Sequence, residues 1–176
     1  MQIDATQALL FALPVVPICI LTFYVDMRAK RITNVTVWAL FASFVAIGLL
    51  TMPLNDFLWR FAQYGVVFAY GLLMWFMRQV GAGDVKFAAV LALFVHPGDI
   101  RLMLFVGVAA MIAATVTVLI AKATPLHRMA PHWATWAAPD GNADSVGKGQ
   151  RFTIPMGTGF ALMLATYVVM GAFIGQ

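Results

Sequence analysis

Few residues in this chain can move a proton. Its seven acids are all aspartates, at positions 4, 26, 56, 84, 99, 140 and 144. Five have ordinary local explanations. Asp4 and Asp56 stand before apolar runs, where a carboxylate caps a helix. Asp99 follows His96-Pro97-Gly98 and Asp140 sits in Pro139-Asp140-Gly141-Asn142, both turn sequences, while Asp144 falls in a polar loop. Asp26 and Asp84 are harder to dismiss. Asp26 closes an apolar run in Tyr24-Val25-Asp26-Met27-Arg28, and a helix C-terminus disfavours an anion. A surface ion pair with Arg28, Lys30 or Arg31 is its plainest explanation. Asp84 opens a short apolar run from Gly81-Ala82-Gly83-Asp84-Val85-Lys86, where an N-cap is the plain alternative.

The chemistry those two offer together is specific. Carboxylates a few ångströms apart cannot both ionise easily, so the pair holds one proton. The ionised member can take a proton from water while the protonated one hydrogen-bonds a scissile carbonyl, which is aspartic-peptidase chemistry. The apparent pKa values then belong to the pair. A helix N-terminus near Asp84 favours its anion and burial opposes it, so the sequence leaves open which acid keeps the proton. Gly81 and Gly83 lack a Cβ, which permits φ > 0 and the close approach of a substrate strand; they are candidate site-shaping residues. No metal or cofactor is expected. His96, His127 and His132 have no HExxH-like spacing, a His127/His132/Asp140 cluster is the weaker option, and the single Cys19 allows neither a disulfide framework nor a CxxC zinc site.

The elements that must position these residues are membrane helices. Apolar types make up 62% of 176 residues and charged types 10%, against about 25% charged in soluble domains. That excludes disorder and a water-soluble globule. Apolar runs cover about 7–25, 35–53, 57–77, 85–96, 101–121 and 155–174. The expectation is an all-α polytopic membrane protein of six transmembrane helices in one domain, 1–176, with a polar loop at about 122–154. Pro14 and Pro17 should bend the first helix, Asn34 should cap the second, and Pro155 suits the first turn of the last. The fourth run is short for a span. It becomes long enough if Val80–Gly83 lies partly at membrane depth, where irregular backbone must be buried or line a cavity. Arg60 and Gln63 in the third run suit snorkelling and an interhelical hydrogen bond. The N-terminus has no positive charge before its apolar run, which argues for a retained first helix rather than a cleaved signal.

Charge sets orientation. The segments 26–34, 78–86 and 122–154 carry nine of the eleven basic residues, and only Arg60 and Arg101 fall on the other side. The positive-inside rule then puts both termini outside and both Asp26 and Asp84 at the cytoplasmic face. The net charge of +4 is spread over span ends, so no nucleic-acid footprint is present.

Three separated pieces of this chain resemble the type IV prepilin peptidases, which are GxGD-type intramembrane aspartic peptidases. The first is Asp26-Met-Arg-Ala-Lys-Arg-Ile-Thr-Asn34, with Thr33 where proline is usual. The second is GAGDVKF at 81–87, with Phe87 for the commoner leucine. The third is Ile154-Pro155-Met156-Gly157-Thr158-Gly159. The resemblance implies the GxGD peptidase fold, with Asp26 and Asp84 as the catalytic pair in an inner membrane. The implied reaction is removal of a short leader from prepilins, with pilus assembly machinery as a further partner. It makes Lys86 a candidate for tuning Asp84 or meeting an acidic substrate residue, beside ordinary charge flanking, and Asn34 a helix cap that can also orient the first-span end. With no paired CxxC motifs, N-methyltransferase activity is not expected, and the chain is similar to the short, peptidase-only members of Flp/Tad-type systems. A small transporter or channel subunit, or a non-catalytic assembly component, is the alternative. Signal-peptide-peptidase-like proteases fit worse, since Asp26 follows valine rather than tyrosine.

Overall fold

The computed structural model describes residues 1–29, 31–124 and 156–175. Among the described residues six α-helices follow one another: α1 (Ala5–Ala29), α2 (Asn34–Thr51), α3 (Leu54–Phe76), α4 (Ala82–Phe94), α5 (Ile100–Ala123) and α6 (Met156–Ile174). A single 3-10 turn, Pro97–Asp99, joins α4 to α5. No strand occurs among the described residues. The helices match the six apolar runs to within a few residues. Four of them, α1, α2, α5 and α6, are long and apolar enough to cross a membrane. The first half of α3 carries Asp56, Arg60 and Gln63, and α4 has only 13 residues.

Capping explains several boundaries. Asp4 caps α1 as expected, its Oδ1 accepting from the Thr6 N–H at 3.2 Å. The cap of α2 is Thr33, not Asn34: the Thr33 hydroxyl oxygen accepts from the Thr36 N–H at 3.5 Å. Thr33 therefore has a local function, and Asn34 is the first helical residue. Asp56 lies inside the first turn of α3 behind Pro53 rather than at a cap. Its charge still suits a helix N-terminus.

The short α4 lies at the centre of the bundle. It packs on α2, α3 and α6, and Val85, Phe87, Ala89, Val90, Leu93 and Phe94 are all buried. A helix apolar all round and too short to span is a core helix. The Phe94 ring meets Phe11 of α1 and Phe44 of α2 edge-on, at centroid distances of 5.1 and 5.5 Å. Such ring pairs add about 0.5–1.5 kcal/mol each beyond area burial and fix the far end of α4. Near its start, a Cβ on Gly71 of α3 would lie 2.7 Å from Val85 Cγ1, so α3 and α4 approach closely only because residue 71 is glycine. Both N- and C-terminal halves of α1 pack along α6, which carries the start of α6 to the end of α1.

Candidate active site

α1 continues a full turn past the first apolar run, so Asp26 lies within the helix and is only 4% exposed. Its carboxyl is therefore buried rather than at the surface. One carboxylate oxygen, Oδ2, accepts two bonds from the first described turn of α6. The Thr158 N–H donates at 2.7 Å and the Thr158 hydroxyl at 3.0 Å. Free N–H groups at a helix N-terminus suit an anion. Gly157 makes room for the contact, since a Cβ there would lie 2.9 Å from Asp26 Cγ.

Asp84 is the third residue of α4, and Gly81 rather than Asp84 holds the N-cap position. The Gly81 N–H donates back to the Asp84 carboxylate, as an acid in the first turn of a capping box does. Neither Gly81 nor Gly83 has a positive φ; Gly81 is extended at φ −75° and Gly83 is helical. The expectation of left-handed backbone there is thus corrected. What the glycines supply is space. A Cβ on Gly81 would lie 2.8 Å from Asp84 Oδ2, and one on Gly83 would lie 3.4 Å from Ile32 Cβ. The same Ile32 side chain reaches Gly157, where a Cβ would meet its Cγ1 at 2.8 Å. Ile32 is therefore the wedge between the starts of α4 and α6.

The two acids feel each other. Asp84 belongs to the helix that is too short to span, and its carboxyl is pushed up to about 6. Burial is the main cause, the nearby Asp26 charge adds to it, and the Gly81 N–H opposes it. Burial therefore outweighs the helix N-terminus, the balance that the sequence left open. The result is an asymmetric pair. Asp26 is held by two donors on one oxygen, and Asp84 keeps a proton toward neutral pH.

Lys86 and Asn34 meet at the exposed rim. The Lys86 ammonium donates to Asn34 Oδ1 at 3.2 Å, linking α4 to α2. Lys30, His127, His132, Asp140, Asp144, Ile154, Pro155 and nearly all of the predicted loop 122–154 lie outside the described residues.

At the opposite end of the bundle the structure adds to two readings. Asp99 lies in the expected turn, Pro97–Asp99, and is only 4% exposed. It accepts from the Gln2 N–H at 2.9 Å, the Ile3 N–H at 3.2 Å and the Tyr167 hydroxyl at 3.0 Å. Arg60, 3% exposed, does not snorkel, but it makes the expected interhelical hydrogen bond, donating to the Leu93 carbonyl of α4 at 3.4 Å. Sequence reasoning missed Thr158, Ile32 and Asp99 as site or clamp residues. The third motif pointed to the segment holding Thr158 but not to its contact with Asp26.

A family model described as the type IV leader peptidase family matches residues 13–121. That stretch contains Asp26, Asn34, Gly81, Gly83, Asp84 and Lys86 and stops before Thr158. No curated protein and no solved structure matches the chain.

Proposed function

The chain belongs to the type IV leader peptidase family, and from that premise we propose that it is an aspartic endopeptidase that removes the leader of Flp-type prepilins. The observation that carries the reading is the convergence of Asp26 and Asp84 at one end of the bundle in unequal settings. Asp26 Oδ2 accepts two bonds from Thr158. Asp84 receives one backbone N–H and resists ionisation. In the proposed reaction Asp26 takes a proton from a water that attacks the scissile carbonyl. Protonated Asp84 hydrogen-bonds that carbonyl oxygen as it gains charge. Collapse of the tetrahedral intermediate sends the proton from Asp26 to the leaving amine, and the pair is restored with one proton. General acid–base assistance of this kind is worth about 10²–10⁴-fold. The basic residues at this end of the bundle support placement at the cytoplasmic face of an inner membrane. The missing CxxC motifs support a peptidase without methyltransferase activity.

The test is leader removal from a Flp-type precursor co-expressed in a heterologous membrane. Asp26→Asn and Asp84→Asn should each abolish the leader-loss shift, with membrane yield unchanged. Asp4→Asn, which keeps the α1 cap, should cleave at the wild-type rate. Wild-type cleavage by either site variant overturns the paired-aspartate mechanism, and a wild type that cleaves no prepilin overturns the substrate.

A further inference from the structure

The end of the bundle away from Asp26 and Asp84 holds a cavity of about 250 Å³. It is bounded by Asp4 before α1, Thr51 at the end of α2, Asp56, Trp59 and Arg60 in the first two turns of α3, and His96 after α4. α1 and α2 are both candidate spans, and each has one end at this cavity. The cavity therefore lies at the level where helices leave the hydrocarbon. Trp59, 63% exposed on its wall, is a residue type enriched at that level.

Its charges are layered. Arg60 is buried, whereas Asp4 and Asp56 are exposed. A guanidinium carries five N–H donors. The bond to the Leu93 carbonyl engages Nη1, and no carboxylate among the described residues forms an ion pair with Arg60. Asp56, one turn before it, and Asp99 act on it only at longer range. No Arg60 nitrogen is both without a partner and sealed from solvent, so the remaining donors open on the cavity that Arg60 lines. A buried cation is costly unless an anion meets it. His96 adds a neutral donor. Its Nδ1 accepts from the Gly98 N–H at 3.1 Å, which leaves the ring hydrogen on Nε2. A simple anion has to pass Asp4 and Asp56, and a simple cation has to sit against Arg60. A group with its anion inward and its cation outward, a few atoms apart, suits both layers. An ethanolamine phosphate headgroup has that order in a bilayer, with the phosphate diester at the hydrocarbon boundary and the ammonium toward water. The cavity has the volume of about eight waters, which is the bulk of such a headgroup.

We propose that this cavity binds the zwitterionic headgroup of phosphatidylethanolamine, with the phosphate at Arg60 and His96 and the ammonium at Asp4 and Asp56. Guanidinium and phosphate match in a two-bond, planar geometry, and basic recesses between membrane helices hold phospholipid headgroups in this way. The site lies at the far end of the bundle from the two candidate acids and does not depend on the peptidase reading.

The test uses the full chain purified in detergent and mixed with equal amounts of phosphatidylethanolamine and phosphatidylglycerol. Lipids that stay bound are counted by native mass spectrometry. Phosphatidylglycerol shares the phosphate diester but lacks the ammonium. The wild type should retain one phosphatidylethanolamine per chain, preferred about tenfold or more. Arg60→Gln removes the charge and keeps a donor for the Leu93 carbonyl, and it should lose the bound lipid. Arg60 also holds the end of α4, so a second variant covers a failure of that one to fold. Asp4→Asn combined with Asp56→Asn changes only exposed positions; it should keep a bound lipid and lose the preference for phosphatidylethanolamine. Arg101→Gln, at an exposed cation outside the cavity, should match the wild type. Glycerophosphoethanolamine, the same headgroup without acyl chains, should compete about tenfold or more weakly than the lipid. Equal retention of both lipids by the wild type, undiminished retention by folded Arg60→Gln, or a preference that survives the double aspartate change would each overturn the site. So would a loss in Arg101→Gln as large as that in Arg60→Gln. Equally tight binding of glycerophosphoethanolamine would assign the cavity to a soluble ligand and overturn the lipid.

Discussion

Thr158 holds Asp26 through two bonds that can be separated by mutation. Thr158→Val keeps the side-chain volume and the backbone N–H at 2.7 Å from Asp26 Oδ2, and deletes only the hydroxyl at 3.0 Å. A hydrogen bond to a charged group contributes about 1.5–3 kcal/mol. Each 1.36 kcal/mol of transition-state stabilisation is about tenfold in rate. In the proposed mechanism Asp26 is the base and must carry charge before water attacks, so the lost bond falls on catalysis. Leader cleavage should drop about 10- to 100-fold in kcat/KM, with residual activity supported by the remaining N–H. Thr158→Ser, which restores a hydroxyl at the same site, should recover most of the rate. The assay is leader removal from detergent-solubilised precursor, run beside thermal unfolding of each variant. A purely structural role would lower melting temperature and rate together and would not distinguish serine from valine. If Thr158→Val cleaves within about twofold of wild type, or Thr158→Ser falls as far as valine, the hydroxyl does not position the base and this reasoning fails.

Three further outcomes follow from the same geometry. Asp84 is raised to about 6, so its protonated form dominates below that pH and is lost above it. Cleavage should fall along an alkaline limb, and Asp26→Asn, which removes a charge that raises Asp84, should move the titration of the labelled Asp84 carboxyl to lower pH by infrared absorption. A rate flat from about pH 5 to pH 8 speaks against Asp84 as the acid. Gly157→Ala places a methyl 2.9 Å from Asp26 Cγ and 2.8 Å from Ile32 Cγ1. It should destabilise the fold by about 1–3 kcal/mol and cut cleavage by more than that loss explains, because moving Asp26 off Thr158 is the readiest relief. Asp99→Asn removes the charge that binds the Gln2 and Ile3 N–H groups. It should lower stability in detergent by about 2–3 kcal/mol while the fraction that remains folded still cleaves; a variant as stable as wild type removes the clamp from the account.

Asp26 and Asp84 stood out in the sequence because a carboxylate at the end of an apolar run conflicts with its surroundings, and in the structure the Asp26 charge acts on Asp84. The helices were legible for the same reason, since long apolar runs have no other use. What stayed hidden depends on contacts across the chain. Thr158 meets Asp26 over 132 residues, and no local pattern marks that threonine. Thr33 displaced Asn34 as the α2 cap because both residues suit that position and only backbone geometry decides. The glycines were credited with left-handed backbone, a property of the residue type, whereas their neighbours Asp84 and Ile32 made lack of bulk the relevant property.

The short α4 explains why burial alone does not separate the candidate acids from the rest. Its 13 residues rise about 20 Å, some 10 Å less than the hydrocarbon thickness. The turn that follows is therefore drawn inward, and its polar backbone needs partners. The Tyr167 hydroxyl accepts from the His96 N–H at 3.0 Å and donates to Asp99 Oδ2 at 3.0 Å. Arg60 reaches the Leu93 carbonyl at the α4 C-terminus, where a helix end favours a cation. Asp99 ends with both oxygens engaged by donors from the N-terminus and α6. A carboxylate so engaged is a clamp: meeting a substrate would cost it several bonds at once. Asp84, at the other end of the same helix, is held by the Gly81 N–H and feels the Asp26 charge. Buried Asp26 and buried Asp99 are equally hidden from solvent. The difference lies in what each one faces: Asp99 faces only its own fold, whereas Asp26 faces Asp84.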